Sequence, residues 1–162
     1  MEAGSLTCSA TDPDLPAPDR LPPVPPLGRV LETALYAPDL PAAMAFYGGI
    51  LGLAEIGRVE GRHVFYRCGA GVLLVFRAEA TVVPPRPDAR LPVPAHGASG
   101  PGHMAFGTPS STLDAWVARL RAAGITIEAD FAWPGGGRSV YVRDPAGNSI
   151  EFADPAIWEP AG

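Results

Sequence analysis

Residues 61–76 and 137–152 are two versions of one sequence, and no other feature of the chain restricts its fold so strongly. Laid together without a gap, GRHVFYRCGAGVLLVF and GRSVYVRDPAGNSIEF match Gly61 with Gly137, Arg62 with Arg138, Val64 with Val140, Arg67 with Arg143, Ala70 with Ala146, Gly71 with Gly147 and Phe76 with Phe152. The match continues upstream. Glu32-Thr33-Ala34-Leu35 precedes one helical run and His103-Met104-Ala105-Phe106 precedes another, the two runs ending near Gly52 and Gly124. The chain therefore reads as a tandem duplication of a strand, a helix and a short set of strands.

Each copy ends in a hairpin signal, and the second one places a carboxylate conspicuously. Val140 to Arg143 is β-branched and aromatic, Asp144-Pro145-Ala146-Gly147 is turn-forming, and Ser149 to Phe152 alternates polar with apolar. Ile150 and Phe152 share one face, so Ser149 and Glu151 point to the other. Taken locally, Glu151 is either a solvated edge charge or a group lining a cavity. The ungapped overlay sets Glu151 against Val75, and a strand face that accepts valine in the sister copy points to an interior or a cleft.

Composition excludes several partners. The 162 residues are 47% hydrophobic, enough for a core, and the net charge of −5 offers no basic face to nucleic acid or anionic lipid. A small molecule or a second copy of the chain is the expected partner. No apolar run approaches the roughly 18 residues of a membrane span, and no basic start with an apolar core suggests export, so a cytoplasmic location is expected. Cys8 and Cys68 fall in a tail and a turn, where pairing is not expected. Every basic residue is arginine, which excludes Schiff-base and lysine-base mechanisms.

In order, residues 1–28 read as a disordered proline-rich tail, 29–158 as the folded domain and 159–162 as a terminal tail. The domain divides into module one (29–80), a linker or lid (81–101) and module two (102–155). Module one opens with a strand over Val30 to Tyr36, then a helix capped by Asp39 and weakened by Gly48-Gly49. Module two opens with a strand over Gly102 to Gly107. Its helix has a capping-box-like start at Ser111 and Asp114 and a core face of Leu113, Trp116, Val117 and Leu120. A strand over Ile125 to Ala129 and a Pro/Gly loop with Trp133 at its rim precede the last hairpin. His96, in the linker, is either an exposed loop histidine or a lid residue that closes over a site.

The first strand of each module pairs a polar residue with a small one on the same face, Glu32 with Ala34 and His103 with Ala105. Paired modules would bring Glu32 and His103 toward one another, with Glu151 joining from the last strand. One imidazole and two carboxylates suit a divalent ion such as Mn, Fe, Zn, Co or Ni. The plainer alternative is a buried glutamate–histidine pair with Glu32 as a surface charge.

Glu32-Thr33-Ala34-Leu35-Tyr36-Ala37-Pro38-Asp39-Leu40, Phe46-Tyr47, Leu51-Gly52-Leu53, Gly102-His103-Met104-Ala105-Phe106 and Arg143-Asp144-Pro145-Ala146-Gly147-Asn148-Ser149-Ile150-Glu151 resemble the vicinal oxygen chelate superfamily over residues 29–158. That superfamily includes glyoxalase I, extradiol dioxygenases, fosfomycin-resistance thiol transferases, methylmalonyl-CoA epimerase and bleomycin-binding proteins. The resemblance implies an α+β fold of two tandem βαβββ modules forming a half-open mixed β-barrel around a central cleft. It also implies a divalent ion held by Glu32, His103 and Glu151, chelating vicinal oxygens of a small oxygen-rich substrate. Two departures matter. Glu32 stands where many members place His or Gln, and Val75 stands where glyoxalase I and the epimerase have a fourth ligand. The second carboxylate favours Lewis-acid chemistry of the lyase or isomerase type, with Glu32 and His96 as catalytic candidates. A dioxygenase using the same site, or a non-catalytic drug-binding protein, is the alternative. Because the superfamily often dimerises, a homodimer is expected.

Overall fold

A computed structural model describes residues 22–158. The expected tails over 1–28 and 159–162, and with them Cys8, lie outside these residues except for 22–28, which are exposed and carry no regular secondary structure. The order is β1 (Glu32–Tyr36), α1 (Leu40–Met44) running into a π-helical segment (Ala45–Ile50), β2 (Ala54–Val59), β3 (His63–Cys68), β4 (Gly71–Phe76), α2 (Ala78–Thr81), β5 (His103–Gly107), α3 (Ser110–Ala122), β6 (Ala129–Ala132), β7 (Arg138–Arg143) and β8 (Ser149–Ala153), closed by a 3₁₀ turn at Pro155–Trp158.

The duplication is explicit in the topology. Module one forms a sheet of order β1-β4-β3-β2 and module two a sheet of order β5-β8-β7-β6. In each, the first strand lies parallel to the last while the hairpin pairs are antiparallel. The two-module α+β architecture is as the sequence implies, although the sheets stay as two separate four-stranded sheets and do not close into a barrel.

Alternation within the strands decides which faces are covered. Leu35, Val64, Tyr66, Leu73 and Val75 from module one and Val140, Val142, Ile150 and Phe152 from module two join helix residues Phe46, Leu113, Val117 and Leu120 in one continuous core. The opposite faces carry Glu32, Ala34, His103 and Ala105, all exposed. Covering one face of each sheet with the helices thus leaves these four residues exposed on the other.

Several local expectations needed correction. The first helix survives Gly48-Gly49 by widening into the π-helical segment, where Leu51 N–H donates to Phe46 C=O at 2.9 Å. Arg119 of α3 donates its Nε–H to the last carbonyl of that segment, Ile50 O, at 2.5 Å, a cation at a helix C-terminus. The Ser111/Asp114 capping box does not form. The Ser110 N–H and hydroxyl donate instead to Asp154, and Asp114 accepts from Arg138 at 2.7 Å. Residues 125–128 are not a strand; β6 begins at Ala129, the last residue of the expected one.

The register also corrects the overlay. Arg67 pairs with Val72 across a turn of four residues, whereas Arg143 pairs with Ser149 across the five residues Asp144 to Asn148. The extra residue shifts every later equivalence by one. Ala34 pairs with Leu74 and Ala105 with Glu151, so Leu74, not Val75, is the counterpart of Glu151. Leu74 is itself buried, so the inference that Glu151 lies inward holds by a corrected route.

Candidate functional site

Glu151 sits mid-strand in β8, between Ala105 of β5 and Tyr141 of β7. It reaches the same face as His103, whose Nε2 lies 3.3 Å from Glu151 Oε2. The pair is unevenly exposed: the His103 side chain is 54% accessible and that of Glu151 only 7%. Glu151 Oε1 is buried with no hydrogen-bond partner. A carboxylate oxygen taken from water and left unpaired is costly, and such a group asks for a ligand. His103 Nδ1 lies 3.2 Å from the Ser149 carbonyl; a proton there would leave Nε2 with its lone pair toward the cleft.

Glu32 and His103 line one cleft of about 430 Å³ between the two first strands, together with Cys68, Val72, Ala105 and neighbouring backbone. The structure brings His103 and Glu151 into contact and places Glu32 in the same cleft. Among the described residues, no three His, Cys, Asp or Glu side chains converge closely enough to hold an ion. Burial raises the pKa of Cys68, which makes it a poor thiolate donor. His96 is elsewhere. Its Nδ1 lies 2.8 Å from the Tyr36 hydroxyl and its ring packs 4.7 Å from that of Phe76, so it covers the open face of module one.

Residues that sequence reasoning did not assign to the site surround the pair. Tyr141, directly opposite Glu151, stacks on His103 at 6.2 Å, and its phenol is raised first by burial and then by the Glu151 carboxylate. Phe131 stacks in turn on Tyr141, and Trp133 packs on Phe131. Once the five-residue turn is known, counting back from Glu151 finds Tyr141; the sequence does not declare the turn's length.

A buried polar network fixes the backbone on which the pair stands. Asp144 accepts from Tyr47 Oη–H at 2.7 Å, Ala146 N–H at 2.9 Å, Asn148 N–H at 2.8 Å and Asn148 Nδ2–H at 2.8 Å. Asn148 also donates to Tyr36 C=O at 3.1 Å and accepts from Gly102 N–H at 2.7 Å. One side chain thus joins the end of β1, the start of β5 and the turn before β8. Glycine at 102 lets the backbone come close here: a Cβ would lie 3.0 Å from Leu35 Cδ2 and 3.2 Å from Asn148 Oδ1, so either neighbour would have to shift by a few tenths of an ångström.

Comparison with known proteins extends this picture. A lactoylglutathione lyase from Agrobacterium tumefaciens is 42% identical over 84% of this chain and all of its own, with a TM-score of 0.77. A glyoxalase/dioxygenase from Nostoc punctiforme is 26% identical over 87% of this chain and 97% of its own, with a TM-score of 0.57. A glyoxalase/bleomycin resistance protein/dioxygenase from Nocardioides, at 23% identity, 86% and 91% coverage and a TM-score of 0.62, shares the fold. No curated protein matches the sequence. The family model described as Glyoxalase/Bleomycin resistance protein/Dioxygenase superfamily matches residues 29–152, a span that takes in all but the last residue of the two sheets and includes the His103–Glu151 pair, and the chain belongs to that superfamily.

Proposed function

We propose that this chain is a metal-dependent enzyme of the lyase or isomerase type that acts on a small substrate with vicinal oxygens. The observation that carries the reading is the buried, unpartnered Oε1 of Glu151 on the carboxylate that meets His103 Nε2, with His103 and Glu32 lining one cleft. An anionic oxygen and an imidazole nitrogen are the donor types that a borderline divalent ion takes, so these residues fit such a group. His103 and Glu151 would hold it, with Glu32 as third ligand or as base. The chemistry that a divalent ion supplies when bound is Lewis acidity toward the adjacent substrate oxygens.

The rest falls to the chain's own side chains. Glu32, exposed at the rim, can take or return a proton at its carboxylate oxygens. Tyr141, kept protonated by burial and by Glu151, can donate a hydrogen bond to a substrate oxygen. His96, latched to Tyr36, is proposed as a lid residue. The likeness to a lactoylglutathione lyase supports a reaction whose product is of the α-hydroxy thioester class, and a homodimer is proposed for the assembly.

The test is turnover. Purified protein loaded with Zn, Mn, Ni or Co is given a 2-oxoaldehyde with glutathione, and thioester formation is followed. The reading expects product that disappears with a chelator; no product with any ion, and none bound, refutes it. That no third ligand converges among the described residues favours a second reading, a binding protein without catalysis, which expects the latter result. Light scattering giving a mass near the 16.8 kDa monomer at micromolar concentration would refute the dimer.

A further inference from the structure

Three rings leave the His103–Glu151 pair in a staircase along the open face of module two. His103 and Tyr141 lie 6.2 Å apart with planes at 21°, Tyr141 and Phe131 5.8 Å apart at 8°, and Phe131 and Trp133 5.1 Å apart at 62°. The last two are the open steps, at 41% and 40% exposure. They are not loose. Trp133 donates its Nε1–H to the hydroxyl of fully buried Ser139 at 2.8 Å, and its backbone is tied to Gly136 and Gly137 at 3.0 Å. The indole's one polar atom is thus satisfied from beneath, and what it offers outward is apolar ring surface.

The charges nearby point the same way. Arg143, on the same face of β7 as Tyr141, is held by Glu128 at 2.9 Å, so it is already paired and an anionic substituent finds little to meet it there. We infer that the substrate carries a flat aromatic or conjugated group that lies on Phe131 and Trp133 while its vicinal oxygens meet His103 and Glu151. This inference rests on the proposed reading of the His103–Glu151 pair. Continuity of the ring stair with that pair is what makes a small molecule its occupant. A pre-positioned indole and phenyl lose little conformational freedom on binding, so the contact discriminates ring from methyl.

Acetohydroxamate and 4-phenylbenzohydroxamate present the same two adjacent oxygens on a methyl and on a biphenyl long enough to reach past Tyr141, which makes them a matched pair of probes. Calorimetric titration of zinc alone tests the metal reading. Titration of both hydroxamates into the zinc-loaded protein then tests the inference. 4-Phenylbenzohydroxamate is expected to bind about tenfold more tightly, and Phe131→Ala and Trp133→Ala are each expected to lower that ratio several-fold. Zinc and acetohydroxamate affinities should be unchanged in both variants, which also reports that they fold.

The Trp133 indole N–H resonance, assigned with Trp133→Phe, gives a readout that needs no metal. It is expected to shift on addition of 4-phenylbenzohydroxamate and not of acetohydroxamate, with or without zinc. Failure of zinc to bind while this shift persists refutes the metal reading and supports the aromatic subsite. An equal affinity for the two probes, or a Trp133 signal that moves only with protein concentration, overturns the subsite; the latter would mean that a second copy covers it.

Discussion

Replacing Tyr47 by Phe removes one oxygen from a fully buried side chain and tests the polar network that ties the modules together. The Tyr47 hydroxyl donates to Asp144 at 2.7 Å from a position with no solvent access. Burial, then the Asp144 carboxylate, pushes its pKa far up, so it remains a donor at any pH the fold tolerates. A hydrogen bond to a carboxylate contributes about 1.5–3 kcal/mol. Asp144 keeps three other donors, from Ala146 and Asn148, so no acceptor is orphaned and the lower end applies. The expected loss is about 1.5–2 kcal/mol, or roughly 3–8 °C in Tm for a chain of this length. Asn148→Ala removes three bonds and strands the Gly102 N–H, so its loss should be larger, about 3–5 kcal/mol. Urea unfolding with an unchanged slope measures both. A Tyr47→Phe midpoint within about 0.5 kcal/mol of the parent would show that the network contributes nothing beyond packing, and the reasoning would fail.

Two further outcomes follow from particular residues. Burial, and next to it Arg62, lowers the pKa of His63, so the unfolded chain binds the proton more readily than the folded one. Stability contributed by this group is full above about pH 6.5 and declines as pH falls toward the lowered folded value; His63→Phe should therefore lose less stability than the parent between about pH 7 and 5 in urea titrations, and equal losses would refute it. Gly137 has φ +79° and a Cβ there would lie 2.5 Å from Ile157 Cγ2, so Gly137→Ala should cost at least about 1 kcal/mol and expose the Pro155–Trp158 turn to hydrogen exchange; a neutral substitution would contradict the geometry.

How much of this was legible in the sequence depended on whether the signal was periodic or contextual. The duplication, the placement of Leu113, Val117 and Leu120, the Asp39 cap and the inward orientation of Glu151 all follow from spacing, and the structure carries them. The turn lengths did not. One residue between Arg143 and Ser149 moved the counterpart of Glu151 from Val75 to Leu74, because strand parity reverses with each inserted residue. The α3 start misled because Asp154, from the other end of the module, provides the acceptor for the helix start that local sequence assigned to a Ser111/Asp114 box. Tyr141, Phe131 and Trp133 read as strand and loop aromatics, and only three-dimensional register lines them up beside His103. Glu32 and His103 share a cleft as symmetry suggested, while His96 lies against Tyr36 and Phe76.

The central claim is that His103 and Glu151 hold a divalent ion, and calorimetric titration of zinc and manganese into the metal-free protein tests it most directly. The parent should bind one ion per chain, and His103→Ala and Glu151→Gln should each weaken binding by at least ~10-fold. Glu32→Ala separates a ligand, which would weaken binding in the same way, from a base, which would leave it intact. Binding that is undiminished in His103→Ala and Glu151→Gln, or absent from the parent, would contradict the account.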